Sequence, residues 1–413
     1  MFGVVVRVAR ASRRVFVASQ ACTARLMWAS LTIAVLLFNA DCRFDPHDGS
    51  KGGGSGGSGG GIDGLTSLRI DPTSAEVSLM RGGAAQTQKY RALGTINGRE
   101  TDVSDRVTWI LDRADIARID THGLVTTTGA SGGVVGISAV NGAAAGAASA
   151  RASLLVRYAF DGVDPGMTAM VPSDAPSKFS GHDDPSHAPE LIYPNDGTMF
   201  PPNVSGVEIH FRTGPGNTLF QVSFTSGPAT IRSYIRCPKP ADAKLAANEC
   251  IYLPEKSLWQ AIAETNAGQG AVKLVVRGTD EQAAAVGTSA TFTIQFAKEP
   301  VRGALYYWTT SSTSSSSVKG AILRWNFGDP NQTQAERYVG AENGDGKTCI
   351  GCHALSHDGT KLVASAGGQN DARVLLFNVA TKQPMVPFPL TERSQFEAWN
   401  PDGTQFVGIG RVN

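Results

Sequence analysis

The sequence predicts an all-β chain with two β-sandwiches in tandem followed by an incomplete β-propeller. Three observations lead there. Val, Thr and Ser recur in short alternating runs bounded by Gly, Asn and Asp, and glycine is abundant at 47 of 413 residues. Residues 65–157 hold seven such runs in close succession. Near the end, Asp358-Gly359-Thr360 and Asp402-Gly403-Thr404 each open an alternating strand, 44 positions apart.

A chain of 413 residues exceeds what one core organises, so about two to four domains are expected. Charged residues make up 18% and the formal net charge is +1. No bulk field therefore draws nucleic acid or an anionic membrane, and no nucleic-acid partner is expected.

Residues 1–42 have the pattern of an export signal. Arg7, Arg10, Arg13, Arg14 and Arg25 precede the apolar stretch Leu31 to Phe38, which is too short to span a bilayer and right for a signal core. Cys42 closes that stretch, and residues 43–64 form a Gly/Ser-rich tether. This arrangement resembles a bacterial lipoprotein, with Asp41 where that family has a small residue. The resemblance implies acylation of Cys42 and a membrane partner through the lipid; ordinary cleavage nearby, or an uncleaved anchor, are the alternatives. Exported chains pair their cysteines. The expected mature chain, without Cys22 of the signal, holds five cysteines; with Cys42 assigned to lipid, the other four form two couples, Cys237 with Cys250 and Cys349 with Cys352.

Residues 65–157 read as an immunoglobulin-like sandwich without a disulfide, in which Trp109 packs in the core. "VTW", "DIARIDTHGLVTTTG" and "GVVGISA" make this stretch resemble the bacterial immunoglobulin-like group 2 domain across its length. Trp109, Ala117, Ile119, Gly123, Leu124, Val125 and Ile137 stand at the signature positions. The resemblance implies core and turn roles for them, a positive φ at Gly123, and display instead of chemistry. Residues 158–188, rich in Pro, Gly, Asp and Ser, read as a linker.

Residues 189–299 carry further strands and resemble a fibronectin type III-like sandwich. One helix is predicted at 257–268: Ser257 caps it, Leu258, Trp259 and Ile262 form its apolar stripe, and Gly268 ends it. Cys237 and Cys250 flank an insertion between strands that a disulfide would staple.

From 300 to 413 the strands come in pairs, and the 44-residue spacing matches the ~40–45 residues of a propeller blade. The x-D-G-T turn with its alternating strand resembles the TolB-type, WD-like repeat. Propellers need about 4–8 blades, so the reading is of a truncated propeller.

The chemistry lies in "KTCIGCHALSHDGT". Cys349, Cys352 and His353 spell C-x-x-C-H, in which two thiols reach the vinyl groups of a haem and the imidazole ligates its iron. Haem c is therefore the expected cofactor, with Cys349 and Cys352 attaching it and His353 binding the iron. The alternatives are a Cys349–Cys352 disulfide beside an ordinary turn histidine, or a zinc site lacking its second ligand pair. No sixth ligand is evident, since His357 lies too close in sequence and Met385 reads as a loop or core residue. His182, Asp183, Asp184 and His187 are clustered but read as solvated loop residues. No nucleophile elbow, phosphate loop, dinucleotide fingerprint or H-E-x-x-H occurs, so no catalytic residue is assigned.

The expected protein is a non-enzymatic display or binding lipoprotein of the bacterial cell envelope, in the periplasm or at the surface. It would carry haem c on its propeller and hold an unidentified protein or glycan partner. Two other roles are open: electron transfer or haem catalysis with the sandwiches as spacers, and a propeller hydrolase whose catalytic residues would come from further blades.

Overall fold

A computed structural model describes residues 6–10, 61–142, 147–167, 170–237, 248–282, 285–309, 320–329, 331–343, 349–367, 372–386 and 393–409. The described residues are all-β, with several sheets and one α-helix, consistent with immunoglobulin-like domains. They fall into two compact units, one spanning Gly56–Gly303 and the other Ala304–Asn413 together with Met1–Ser55.

In the first unit, alternation along each strand sends one set of side chains inward. Gly133–Val140 shows this: Val135, Ile137 and Ala139 are buried while Val134 faces solvent. That strand pairs antiparallel with Thr108–Leu111 on one side and with Ser149–Val163 on the other. Against this sheet lie two three-stranded sheets. One is Leu65–Asp71, Arg91–Ile96 and Arg99–Asp102; the other is Thr87–Lys89, Leu124–Thr127 and Ala117–Ile119. Ile70, Leu79, Tyr90, Val125, Leu154 and Val156 fill the space between them. Trp109 differs from its expected core place. It is only half-buried, donates Nε1–H to Ser104 O at 3.0 Å, and lies over Gly123, whose φ is +84°. A Cβ at Gly123 would stand 2.5 Å from Tyr90 O and 2.7 Å from the indole, so the turn demands glycine on both counts.

The linker expected at 158–188 is not what the structure shows. Ser149–Val163 is one 15-residue strand running through that boundary. Residues 153–159 pair parallel with Ser74–Met80, and 158–163 pair parallel with Ala229–Ile235 of the following module. Tyr158 is buried and Phe160 packs against the core, because a sheet flanks them on both sides. The described residues after it include short 3-10 turns at Pro165–Met167, Ala175–Phe179 and Pro185–His187, and the two-residue strand His182–Asp183, which pairs parallel with Ala285–Thr288.

The second module continues the same sheet through Leu219–Thr225, Val272–Thr279 and Ala285–Thr288, and sets Glu190–Tyr193, Ile209–Arg212 and Glu249–Tyr252 in a second one. The helix runs Lys256–Asn266. Its cap is not Ser257 but Glu255, whose carboxylate accepts from the N–H groups of Ser257 (3.0 Å) and Leu258 (3.1 Å). A carboxylate also meets the positive end of the helix dipole. Leu258, Trp259 and Ile262 are buried. Trp259 is edge-on to Phe200 and Phe296 at 5.6 Å, with Nε1 donating to Val204 O at 2.9 Å. Gly268, at φ +67°, ends the helix and donates to Phe296 O.

The second unit consists of antiparallel meanders. The first is Ala304–Thr309, Ala321–Asn326 and Glu336–Val339; the second is Ile350–Leu355, Lys361–Ala366 and Arg373–Asn378. The third joins Gln395–Trp399 to Gln405–Ile409, whose outer edge is paired by Val6–Arg10. The remainder of the leader 1–42, including Cys42, and the tether up to Gly60 lie outside the described residues. No described helix is long and apolar enough to cross a membrane.

The 44-residue repeat is a repeat of structure. Asp358 Oδ1 accepts from Thr360 N at 3.0 Å and Asp402 Oδ1 from Thr404 N at 2.9 Å, with Gly359 at φ +68° and Gly403 at φ +64°. The hydroxyls and N–H around Asp358, Ser356 foremost, hold its carboxyl down to about 2. Each turn is preceded by a β-bulge: Gly351 and Ala354 oppose Ser365 and Val363, and Gln395 and Ala398 oppose Ile409 and Val407. At the bulges Cys352 has φ +46° and Phe396 φ +59°. Residues with side chains rarely hold this region, and the extra residue in the strand is what places them there.

Candidate functional site

Cys349 immediately precedes the strand Ile350–Leu355, and Cys352 and His353 occupy its bulge. The bulge explains how the C-x-x-C-H run coexists with a strand: the ladder skips Cys352-His353 and resumes at Ala354. Cys349 and Cys352 are free thiols, each partly exposed. Burial, and then the neighbouring Cys352, push the Cys349 thiol up. His353 is half-buried, and burial lowers its pKa, so the ring is neutral near pH 7. Its Nε2 lies 3.3 Å from Tyr306 O of the first meander. A carbonyl only accepts, so this contact places the ring proton on Nε2 and the lone pair on Nδ1.

Trp308 packs over Gly320 and Gly351, near Cys349. A Cβ at Gly351 would meet the Trp308 indole nitrogen at 3.0 Å, and one at Gly320 would meet it at 2.8 Å and Cys349 Sγ at 3.4 Å. Two glycines therefore let the half-exposed indole lie beside Cys349.

The donor set fits a covalently attached haem: two unpaired, accessible thiols three positions apart and a neutral imidazole next to the second. His353 would be the residue that holds its iron, through a ring nitrogen that carries no proton. Among the described residues no group of three or more His, Cys, Asp or Glu side chains is placed to hold a metal ion.

Cys237 and Cys250 are disulfide-bonded, with Cα atoms 5.4 Å apart. Cys250 is in the strand Glu249–Tyr252, and Cys237 follows Ala229–Ile235. The His182–His187 cluster is tied up locally. Asp183 Oδ1 accepts from Thr288 Oγ1 at 2.8 Å, Asp184 caps the turn at Ser186, and His187 Nδ1 meets Asp184 Oδ2 at 3.0 Å. His357 and Met385 are exposed, and Met385 N donates to Leu376 O.

The sequence reading missed Glu397. It stands 44 positions after His353, in the matching place of the next bulge, and is 9% exposed. Burial pushes its carboxyl up to about 7. Like His353, it reaches back to the preceding meander, where its Oε1 is 2.8 Å from Ser365 Oγ. The 44-residue offset was the signal that could have found it.

No protein-family model matches the chain, and no curated protein matches it. Among solved structures, the ICAM-5 D1–D4 ectodomain fragment is similar over 84% of this chain and 99% of its own, at 11% identity and a TM-score of 0.16. Sidekick-1 immunoglobulin domains 1–4 match over 78% of this chain and 74% of theirs, at 10% identity and 0.15. Domains 1–6 of the surface layer protein SbsC match over 82% and 41%, at 10% identity and 0.18. TM-scores this low establish no shared arrangement of modules.

Proposed function

We propose that this chain is a non-enzymatic display protein of the bacterial cell envelope, anchored by lipid on Cys42 and carrying covalent haem c at Cys349, Cys352 and His353. In this reading the immunoglobulin-like group 2 module and the fibronectin type III-like module serve as a stalk. Their common strand Ser149–Val163 supports that role, because a continuous ladder resists bending where a loop would not. Residues 300–413 are read as part of a TolB-type, WD-like propeller, supported by the repeated turn and bulge.

One observation carries the haem assignment. The described cysteines are treated unequally: Cys237 and Cys250 are joined, while Cys349 and Cys352 remain thiols beside a neutral imidazole. When bound, the group would supply a redox-active iron. The chain's own residues would hold it by two thioethers and His353, and Trp308 flanks the attachment strand. Co-expression with a cytochrome c maturation system tests the assignment. A haem-staining band should survive denaturation and weaken or vanish in Cys349→Ala and Cys352→Ala. A colourless wild-type protein under the same conditions contradicts it.

A further inference from the structure

The seam between the second and third meanders is held by polar contacts. Trp399 Nε1 donates to Ala354 O at 3.1 Å, and Lys361 Nζ donates to Gly403 O at 2.9 Å. Between them Ser365 Oγ meets both Ser394 O and, at 2.8 Å, Glu397 Oε1. A serine hydroxyl has one hydrogen, and a backbone carbonyl can only accept. That one hydrogen cannot serve Ser394 O and an ionised Glu397 at once, so both contacts are hydrogen bonds only when the carboxyl carries a proton and donates it to Ser365 Oγ. The other oxygen, Oε2, is buried with no hydrogen-bond partner among the described residues, as is Ser394 Oγ. The site therefore favours a neutral acid: an anion there would compete with Ser394 O for the single Ser365 hydrogen, with only the Ser394 hydroxyl as a further side-chain donor.

We propose that Glu397 is a protonation latch: the neutral carboxyl, through Ser365, ties the third meander to the second, and ionisation loosens that seam. Of the titratable groups on the surrounding elements, His353 and Lys361 are engaged elsewhere. On Ile350–Leu355, His353 faces Tyr306 O, and Cys352 stands at the bulge. On Lys361–Ala366, Lys361 holds Gly403 O with its ammonium 5.9 Å from the Trp399 ring. Arg393 forms a backbone bridge with Arg373. Gln405–Ile409 carries no ionisable side chain, and in Val6–Arg10, which also contains Arg10, Arg7 pairs with Gly408, in the row of the Glu397 bulge.

Burial holds the folded carboxyl up at about 7, above an ordinary value of 4.5. Between those values the closed form binds a proton that the open form lacks, so closure weakens as pH rises through this window and levels off above it. Each unit of pH in the window changes the equilibrium about tenfold. Hydrogen exchange by residues 393–409 of the full chain, corrected for intrinsic rates, should therefore lose roughly 100-fold of its protection between pH 5 and pH 8. Glu397→Gln should hold its protection constant across that range. Ser365→Ala, which removes the carboxyl's hydrogen-bond partner across the seam, should be less protected than the wild type at pH 5, while burial of Glu397 keeps the pH dependence. Unchanged wild-type protection, a Glu397→Gln protein with the wild-type pH profile, or a Ser365→Ala protein as protected as the wild type at pH 5 overturns the proposal.

Discussion

Thr265→Val tests whether the two sandwiches are one structural unit. Thr265 is fully buried on the inner side of the helix Lys256–Asn266, and its Oγ1 accepts from Gly132 N at 2.9 Å. Gly132 belongs to the first module and has no room to turn away, since a Cβ there would lie 2.5 Å from Val156 O and 2.8 Å from Tyr158 Cβ. Valine matches threonine in shape but offers no acceptor, so a buried N–H is left unpaired, at a cost of about 1–3 kcal/mol. Taking ~2 kcal/mol, and a unit of this size in which each kcal/mol moves Tm by about 2–4 °C, the midpoint should fall by roughly 4–8 °C. Thr265→Ser keeps the acceptor and is the control. Thermal unfolding of the full chain, followed by hydrogen exchange in residues 61–142 and 170–296, should show both modules weakened together in Thr265→Val. A loss no greater than that in Thr265→Ser, or one confined to the helix's own module, would refute the shared unit.

Gly123→Ala should destabilise the same unit by at least about 1–2 kcal/mol from the left-handed backbone alone, with the clash at Tyr90 O adding to it, as urea titration would record. Trp259→Ala should cost about 3–5 kcal/mol, read as a lowered denaturation midpoint, because its ring is enclosed by Phe200, Phe224 and Phe296. Cys42→Ser should move the protein from the membrane to the soluble fraction; continued sedimentation with an unchanged mass would disprove lipid attachment.

What was legible in the sequence followed from short-range patterns. Alternation along Gly133–Val140 shows directly which side chains are buried, and the turn chemistry of Asp358 and Asp402 is contained within three residues. The shared strand was not legible, because 158–163 become a strand only by pairing with Ala229–Ile235, some seventy positions away. The Pro-, Gly- and Asp-rich composition that follows disguised it. Ser257 has the better side chain for a cap in isolation, yet Glu255 reaches the free N–H groups from two positions earlier and Ser257 instead donates to Glu255 Oε2 at 2.6 Å. Glu397 lacks any local motif. Its burial comes from the stacking of one meander on another, which nothing within its own strand announces.

The haem assignment is tested most directly by the mass of the tryptic peptide Thr348–Lys361, prepared without reduction from protein made alongside a cytochrome c maturation system. The account predicts one peptide carrying a single haem through both Cys349 and Cys352. The bare peptide, whether with two alkylatable thiols or with a Cys349–Cys352 disulfide, would contradict it.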